Sequence, residues 1–135
     1  MSTFKTFEDI AVWKKSRDLT RRVYQVSRTG LFVRDFALRD QMRRASVSIM
    51  SNIAEGFDRS GTAEFIQFLA MAKGSAAEVR CQLYVALDQN YLDDSTFGEL
   101  SGLASEIGKM IAGLMNYLRR SGIKGTKYKT VTTQR

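Results

Sequence analysis

No proline occurs anywhere in the 135 residues of the chain. An average composition would supply about seven. Because a proline inside a helix removes a backbone hydrogen bond and clashes with the preceding turn, its absence permits long uninterrupted helices. The chain is also 44% hydrophobic and 26% charged, a balance typical of a soluble globular protein. At this length we expect one domain of ordinary size.

Four amphipathic segments, separated by turn signals, account for most of the chain. In each segment apolar residues recur at spacings of three and four, which is the helical period. Short connections favour antiparallel neighbours. The sequence therefore predicts an all-α fold, an antiparallel up-down-up-down four-helix bundle over residues 1–121. The basic residues 122–135 lack periodicity and are predicted to form a disordered tail. The expected helices run from about 7 to 28, from about 35 to 55, from 60 or 62 to about 89, and from 94 or 95 to a stop at Ser121-Gly122.

The predicted core follows these apolar stripes. Thr6 with Asp9 resembles a capping box, Gly56 is expected to end the second helix, and Asn90 to cap the third in a left-handed conformation. The stripes are Val12, Leu19, Val23 and Val26 in the first helix, Leu38, Met42, Ala45, Ile49 and Ile53 in the second, Phe65, Leu69, Ala72, Ala76, Val79, Leu83 and Leu87 in the third, and Leu100, Leu103, Ile107, Ile111, Leu114 and Leu118 in the fourth.

The composition argues against most catalytic chemistry. There is no histidine and only one cysteine, so the usual zinc sites and the Ser-His and Cys-His nucleophile pairs are excluded. No glycine-rich phosphate loop occurs. Glu55 and Glu78 would lie about 20 Å apart along the helices, too far to share a substrate. We expect no enzyme activity, no metal and no cofactor, and we interpret Cys81 as a packing residue.

The N-terminal residues and the apolar runs bear on localisation. Acids stand where a secretory signal would carry its apolar stretch. No apolar run approaches the roughly 18 residues of a membrane span. We expect a cytoplasmic protein without membrane contact.

Residues 46–56, SVSIMSNIAEG, place small polar groups inside an otherwise apolar helix. The antiparallel register puts Glu55 opposite the first turn of the third helix, where unpaired N–H groups favour a carboxylate. It also puts Arg43 or Arg44 near Glu78. We interpret these groups as a polar network that fixes how the helices pair, in preference to a binding site. The predicted network comprises Arg43, Arg44, Ser48, Asn52, Glu55, Ser75 and Glu78.

The net charge of +7 is unevenly distributed. Residues 13–44 hold ten Lys/Arg and three acids, residues 45–118 hold four and nine, and residues 119–135 hold six and none. Acidic and basic surfaces could pair between subunits, or a basic surface could attract a polyanion. The alternative is a solvated helix face. The candidate nucleic-acid contacts are Lys14, Lys15, Arg17, Arg21, Arg22, Arg28, Arg39, Arg119, Arg120, Lys124, Lys127 and Lys129.

Small residues line one face of the fourth helix, away from the leucine stripe. They are Gly98, Gly102, Ser105 and Ala112. Because glycine inside a helix costs up to about 1 kcal/mol, such a face suggests close contact with another molecule. Loose surface tolerance explains it equally well.

Four stretches together resemble a known family. The chain is similar to the four-helix-bundle proteins of intervening sequences in bacterial large-subunit ribosomal RNA genes, a group that includes the accessory variability proteins of diversity-generating retroelements. Two family prolines are replaced, one by Met50 and one near Phe32. The stretches are FEDIAVWKKS (7–16), QMRRASVSIMSNIAEGFDRS (41–60), EFIQFLAMAKGSAAEVRCQL (64–83) and IGKMIAGLMNYL (107–118).

The resemblance implies a homopentameric ring of bundles without catalytic activity. In its retroelement branch it implies a reverse transcriptase and its template RNA as partners. With the charge distribution, we predict a non-catalytic accessory protein that binds nucleic acid, RNA rather than DNA, through backbone contacts with little sequence preference. The alternative is a protein-interaction scaffold.

Overall fold

Four helices make up the computed structural model, which describes residues 4–121. They are α1 (Ala11–Val26), α2 (Phe36–Asp58), α3 (Thr62–Asp88) and α4 (Asp94–Arg120), with short 3-10 turns at Phe7–Asp9 and Phe32–Arg34. No strand occurs within this part of the chain. The all-α prediction with four helices is confirmed.

The ends of the helices are set by local hydrogen bonds. Asp35 accepts from the Leu38 N–H at 3.2 Å and caps α2, while Asp93 accepts from the Thr96 N–H at 2.7 Å and caps α4. This bond lowers the pKa of the Asp93 carboxyl. Asn90 has a φ of 61°, which gives the chain its left-handed turn between α3 and α4.

Two predicted helix ends differ from the structure. Asp9 accepts from the N–H groups of Lys5 and Thr6, so the predicted capping box closes a 3-10 turn, and α1 begins only at Ala11. Gly56 does not end α2, which continues to Asp58. A Cβ at Gly56 would lie 2.6 Å from the Phe68 Cβ. The glycine therefore allows α2 and α3 to approach closely.

One hydrophobic core receives residues from all four helices. α1 and α3 each pack against both α2 and α4, so the helices surround this core. The predicted stripe of α2 is entirely buried. In α4 the helix is rotated slightly from the prediction, because Ala104 and Met115 are buried whereas Leu103 and Leu114 are only half-buried. Val26 and Leu87 are also half-buried.

Hydrogen bonds from side chains connect α2 to both α1 and α3. Ser75 on α3 donates to Ser48 on α2 at 2.9 Å, and Thr20 on α1 donates to the Ser46 carbonyl at 3.2 Å. Near the chain reversal that precedes α4, the rings of Phe32 and Tyr91 stack 5.1 Å apart. Tyr91 also donates to Asp35 at 2.9 Å, which joins the loop to the start of α2.

Candidate nucleic-acid interface

The outward side of α1 carries a row of exposed cations. Val12, Leu19 and Val23 turn into the core, so the residues on the opposite side of a 3.6-residue period face solvent. Those residues are Lys14, Arg17, Arg21 and, just after the helix, Arg28, and all four are exposed.

Several of the predicted contact residues are already held by acids. Lys15 pairs with Glu106 of α4 at 3.3 Å, and Arg22 pairs with Asp18 at 3.1 Å and Glu99 at 3.9 Å. The pairs with Glu106 and Glu99 connect α1 to α4. Arg21 also pairs with Asp18. Phosphate would have to compete with a carboxylate for these cations, which weakens their candidacy as nucleic-acid contacts.

Arg39 has a local role at the start of α2. Its guanidinium donates to the Asp40 carboxylate at 2.9 Å and to the Val33 carbonyl at 3.0 Å, and it lies 4.8 Å from the centre of the Phe36 ring. The Arg39 hydrogen bond, together with the charges of Arg39, Arg44 and Arg43, lowers the pKa of the Asp40 carboxyl. Arg39 therefore holds the preceding turn against α2.

Other predicted contact residues have no acid partner within the described part of the chain. Lys14, Arg17 and Arg28 form no ion pair there. Arg119 donates to the Asn116 side chain at 3.2 Å and Arg120 to the Asn116 carbonyl at 3.3 Å. Lys124, Lys127 and Lys129 lie outside the described residues.

Two arginines that sequence reasoning assigned to structure belong to this surface. Arg43 donates to the Ser27 hydroxyl at 2.9 Å and lies 4.6 Å from the centre of the Tyr24 ring, so it reaches α1 and not α3. Arg44 is exposed and forms no ion pair among residues 4–121, although its charge acts on Asp40. Both line a shallow cleft of about 620 Å³ that Ser51 also borders.

These residues form what we call the basic face, which consists of Lys14, Arg17, Arg21 and Arg28 of the α1 region with Arg43 and Arg44 of α2. Tyr24 lies one helical turn from Arg21 and from Arg28. Because the Arg43 guanidinium covers its ring, the two helices contribute to one continuous surface. Asp18 pairs with Arg21 on this surface, and Asp40 borders the cleft beside Arg43 and Arg44.

The predicted polar network is only partly brought together. Asn52 donates to the Ser48 carbonyl at 2.9 Å and to the Ser48 hydroxyl at 3.0 Å, and Ser75 donates to the same hydroxyl at 2.9 Å. These three residues connect α2 with α3. The buried Ser46 instead donates to the Arg43 carbonyl of its own helix at 2.9 Å.

The remaining network residues lie elsewhere. Glu55 pairs with Arg59 of its own helix at 2.7 Å and not with the first turn of α3. Arg44 and Glu78 border the same cavity of about 300 Å³, but no ion pair joins them. The side chain of Glu55 thus pairs within its own helix and does not reach α3.

Three further observations concern Cys81, metal binding and membrane crossing. Cys81 is exposed, so its interpretation as a packing residue is wrong. Within residues 4–121 no group of three or more Cys, Asp or Glu side chains is placed to hold a metal ion. None of the described helices combines the length and the apolar character needed to cross a membrane.

Comparison with known proteins identifies the family. The family profile described as 23S rRNA-intervening sequence protein matches residues 8–113, which covers all of α1, α2 and α3 and most of α4. The chain belongs to this family. The resemblance inferred from the four sequence stretches is thereby confirmed for the ribosomal RNA intervening-sequence proteins. The relationship of this chain to the retroelement accessory proteins remains a prediction.

A solved relative supports the fold. The crystal structure of a protein of unknown function from the S23 ribosomal protein family of Bacteroides thetaiotaomicron VPI-5482 is similar, with a TM-score of 0.75 and 23% sequence identity. The similarity covers 80% of this chain and 97% of that one. A search of curated proteins found no match. The two proteins therefore share this helical fold at low sequence identity.

Proposed function

We propose that the chain is a non-catalytic accessory protein of the cytoplasm that binds nucleic acid through the basic face. The observation that carries this proposal is a set of exposed cations on one surface that form no ion pair within residues 4–121, namely Lys14, Arg17, Arg28 and Arg44. An unpaired cation binds phosphate without first breaking an ion pair. Each contact then releases condensed counterions and adds to the affinity.

The basic face favours contacts with the backbone of the nucleic acid over contacts with its bases. Base recognition in single strands needs exposed aromatic platforms. The aromatic ring on this face, that of Tyr24, is covered by the Arg43 guanidinium. We therefore expect little sequence preference, and the family's association with ribosomal RNA genes favours RNA as the ligand.

Self-association is the second part of the proposal. The resemblance to the retroelement accessory proteins implies a homopentamer of up-down-up-down bundles. The topology is supported by the contacts that join late α2 to early α3 and middle α2 to middle α3, through Gly56 with Phe65 and Ser48 with Ser75. Several copies of the basic face on one particle would strengthen RNA binding by multivalency. A reverse transcriptase partner rests on the resemblance alone.

The alternative function is a protein-interaction scaffold, and one observation favours it. Met71, Tyr84 and Val85 on α3 are 50%, 57% and 43% exposed, and burial of such apolar surface against a protein partner would favour binding. In this alternative the basic face binds an acidic protein and RNA binds incidentally.

Titration of labelled structured RNA at several salt concentrations tests the proposal. We expect tight binding at low salt and a linear fall of log K with log salt. Replacing Lys14, Arg17 and Arg28 by Gln should lower the affinity and reduce the slope by about three. An acidic polypeptide such as polyglutamate should compete poorly. Absence of RNA binding at low salt would refute the proposal, and strong competition by polyglutamate would favour the scaffold.

A further inference from the structure

An acid lies beside the arginines of the basic face, in the cleft between α1 and α2. Asp40 borders this cleft of about 620 Å³ together with Arg43, Arg44, Ser48 and Ser51. Because a carboxylate repels phosphate, a surface that bound only phosphates would be weakened by it. Asp40 stands one helical turn before Arg44, at a spacing at which opposite charges commonly pair, but no ion pair joins the two side chains. An ion pair with Arg44 therefore does not account for the acid.

The Asp40 carboxylate is held at one oxygen and open at the other. The Arg39 Nε donates to Oδ1 at 2.9 Å, and Arg39 is itself fixed by a bond to the Val33 carbonyl at 3.0 Å. The second oxygen, Oδ2, accepts no hydrogen bond from the described residues, and the side chain is 45% exposed. The Arg39 hydrogen bond lowers the pKa of the Asp40 carboxyl, so at neutral pH the group can only accept. The cleft therefore presents an oriented acceptor without a donor.

The neighbouring side chains present donors to the same space. Arg43 uses its Nε in the bond to Ser27, and the Tyr24 ring supports its guanidinium, which leaves the terminal nitrogens for another acceptor. Arg44 is exposed and forms neither a hydrogen bond nor an ion pair within residues 4–121. The Ser48 hydroxyl accepts two hydrogen bonds from neighbouring side chains. These occupy both of its lone pairs, so its own proton remains to be donated.

An acceptor next to several donors is complementary to the sugar and phosphate of RNA. The 2′-hydroxyl of a ribonucleotide is a donor that lies beside the phosphate on its 3′ side. Proteins recognise double-stranded RNA mainly through such hydroxyl and phosphate contacts across the wide, shallow minor groove. DNA has the phosphate at this place but no hydroxyl. A carboxylate in a cationic cleft can therefore distinguish the two nucleic acids.

We propose that this cleft binds a ribose–phosphate unit of RNA, with Asp40 accepting from the 2′-hydroxyl while Arg43, Arg44 and Ser48 donate to the adjoining phosphate. With DNA, the carboxylate would face phosphate with no hydroxyl between them, so Asp40 both favours RNA and disfavours DNA. Contacts to sugar and phosphate add no sequence preference. The inference rests on the RNA binding in the proposed function and names the residue that distinguishes RNA from DNA.

Asp18 provides a matched control on the same surface. It also lies beside cations of the basic face, but both of its oxygens are occupied, Oδ1 by Arg21 and Oδ2 by Arg22. Replacement of either acid by alanine removes one negative charge near the bound phosphates. Both variants should therefore bind a duplex without 2′-hydroxyls more tightly than the wild type does. Only Asp40→Ala removes an acceptor that a 2′-hydroxyl can use.

Fluorescence anisotropy of the full-length protein with two duplexes of one sequence, each of about ten base pairs, tests the proposal. One duplex is RNA. The other carries 2′-fluoro groups in place of the 2′-hydroxyls, so it keeps the A-form but cannot donate. We expect the wild type to bind the RNA about tenfold more tightly, because the second duplex lacks a hydrogen bond to a charged acceptor. Asp40→Ala should lower this ratio to about one, and Asp18→Ala should leave it at about tenfold.

The ratio compares two ligands on one protein preparation, so a partly unfolded variant does not alter it. If the wild type binds neither duplex at low salt, the RNA binding in the proposed function fails together with this inference. If it binds the fluorinated duplex as tightly as the RNA, this inference alone fails. A preference for RNA that persists in Asp40→Ala refutes the assignment to Asp40. Loss of the preference in Asp18→Ala as well would refute it too, because the preference would then depend on overall charge.

Discussion

α1 and α3 bury similar apolar stripes but differ on their outer sides. The outer side of α1 carries Lys14, Arg17 and Arg21, all exposed. The outer side of α3 carries Met71 and Val85, which are about half exposed, among small residues and a few acids. Burial of the inner stripes stabilises the fold in both cases, so the outer residues are free to serve other roles.

The difference shows which contacts each surface suits. Unpaired cations bind phosphate, which is itself strongly hydrated and charged. Exposed apolar and small residues gain free energy only when another surface removes them from water and packs closely. The protomer therefore presents one surface suited to a polyanion and one suited to protein, on different pairs of helices.

The largest expected effect on the free energy of unfolding comes from comparing a substitution on the inner side of α3 with one on its outer side. Leu69 is fully buried, so Leu69→Ala should lower the free energy of unfolding by about 3 kcal/mol through lost burial and a cavity. Met71→Ala, two residues away, should change it by less than about 0.5 kcal/mol. Urea unfolding of both variants at low protein concentration measures this. Equal losses would show that the outer side of α3 is part of the protomer's core.

Two glycines test whether close approach is required within the protomer. Gly56→Ala should destabilise the fold by about 2 kcal/mol, because the new methyl group overlaps Phe68 and Phe65. Gly74→Ala meets open space and should raise the free energy of unfolding by up to about 1 kcal/mol. Thermal unfolding of the two variants beside the wild type gives the signs. A destabilising Gly74→Ala would show that packing within the protomer requires that glycine as well.

The polar residues of α2 offer a smaller contrast between an inter-helix bond and a surface bond. Ser48→Ala removes the acceptor of both Asn52 and Ser75 and should cost about 1 kcal/mol. Glu55→Ala breaks only the exposed pair with Arg59 and should cost about 0.5 kcal/mol or less. Chemical denaturation with both variants measures the difference. A larger loss of stability for Glu55→Ala than for Ser48→Ala would mean that Glu55, and not Ser48, is the centre of the polar network.

The smallest expected effect concerns acid sensitivity at the start of α4. The Thr96 N–H holds the pKa of the Asp93 carboxyl below its ordinary value of 3.8. A depressed folded-state pKa stabilises the fold above the unfolded pKa, and this contribution is lost as the pH falls through the folded pKa. Asp93→Asn keeps a capping acceptor without a charge. The stability of the Asp93→Asn variant should therefore fall less than that of the wild type as the pH is lowered from 4.

The sequence predicted helix boundaries closely where those boundaries depend on interactions between residues that are near in the chain. The end of α3 and the start of α4 lie within one or two residues of the prediction, because Asn90 and Asp93 act through bonds to their own neighbours. The extension of α2 past Gly56 was not predictable in the same way. There Gly56 packs against Phe65 and Phe68 of α3, a contact with a separate segment that the local sequence around Gly56 does not indicate.

The basic face was predicted on α1 but not on α2. The exposed position of Arg17 follows from the helical period alone. Arg43 was assigned by register to α3, yet its long side chain bonds Ser27 and covers Tyr24 on α1. Its neighbour Arg44 forms no ion pair with Glu78 and stays exposed. A register fixes where a backbone lies, whereas the rotamers of a long side chain depend on every helix within its reach.

The most direct test of the two-surface account compares two variants of equal net charge in RNA binding. One carries Gln at Arg17, Arg28 and Arg44, and the other carries Gln at three exposed cations of α3 and α4, which are Lys73, Arg80 and Lys109. The ligand is an RNA duplex of about ten base pairs, short enough to engage a single protomer without multivalent contacts. The account predicts that the first variant loses most of its affinity and salt dependence while the second binds like the wild type. Equal losses in both variants would show that RNA responds to overall charge, and would contradict the account.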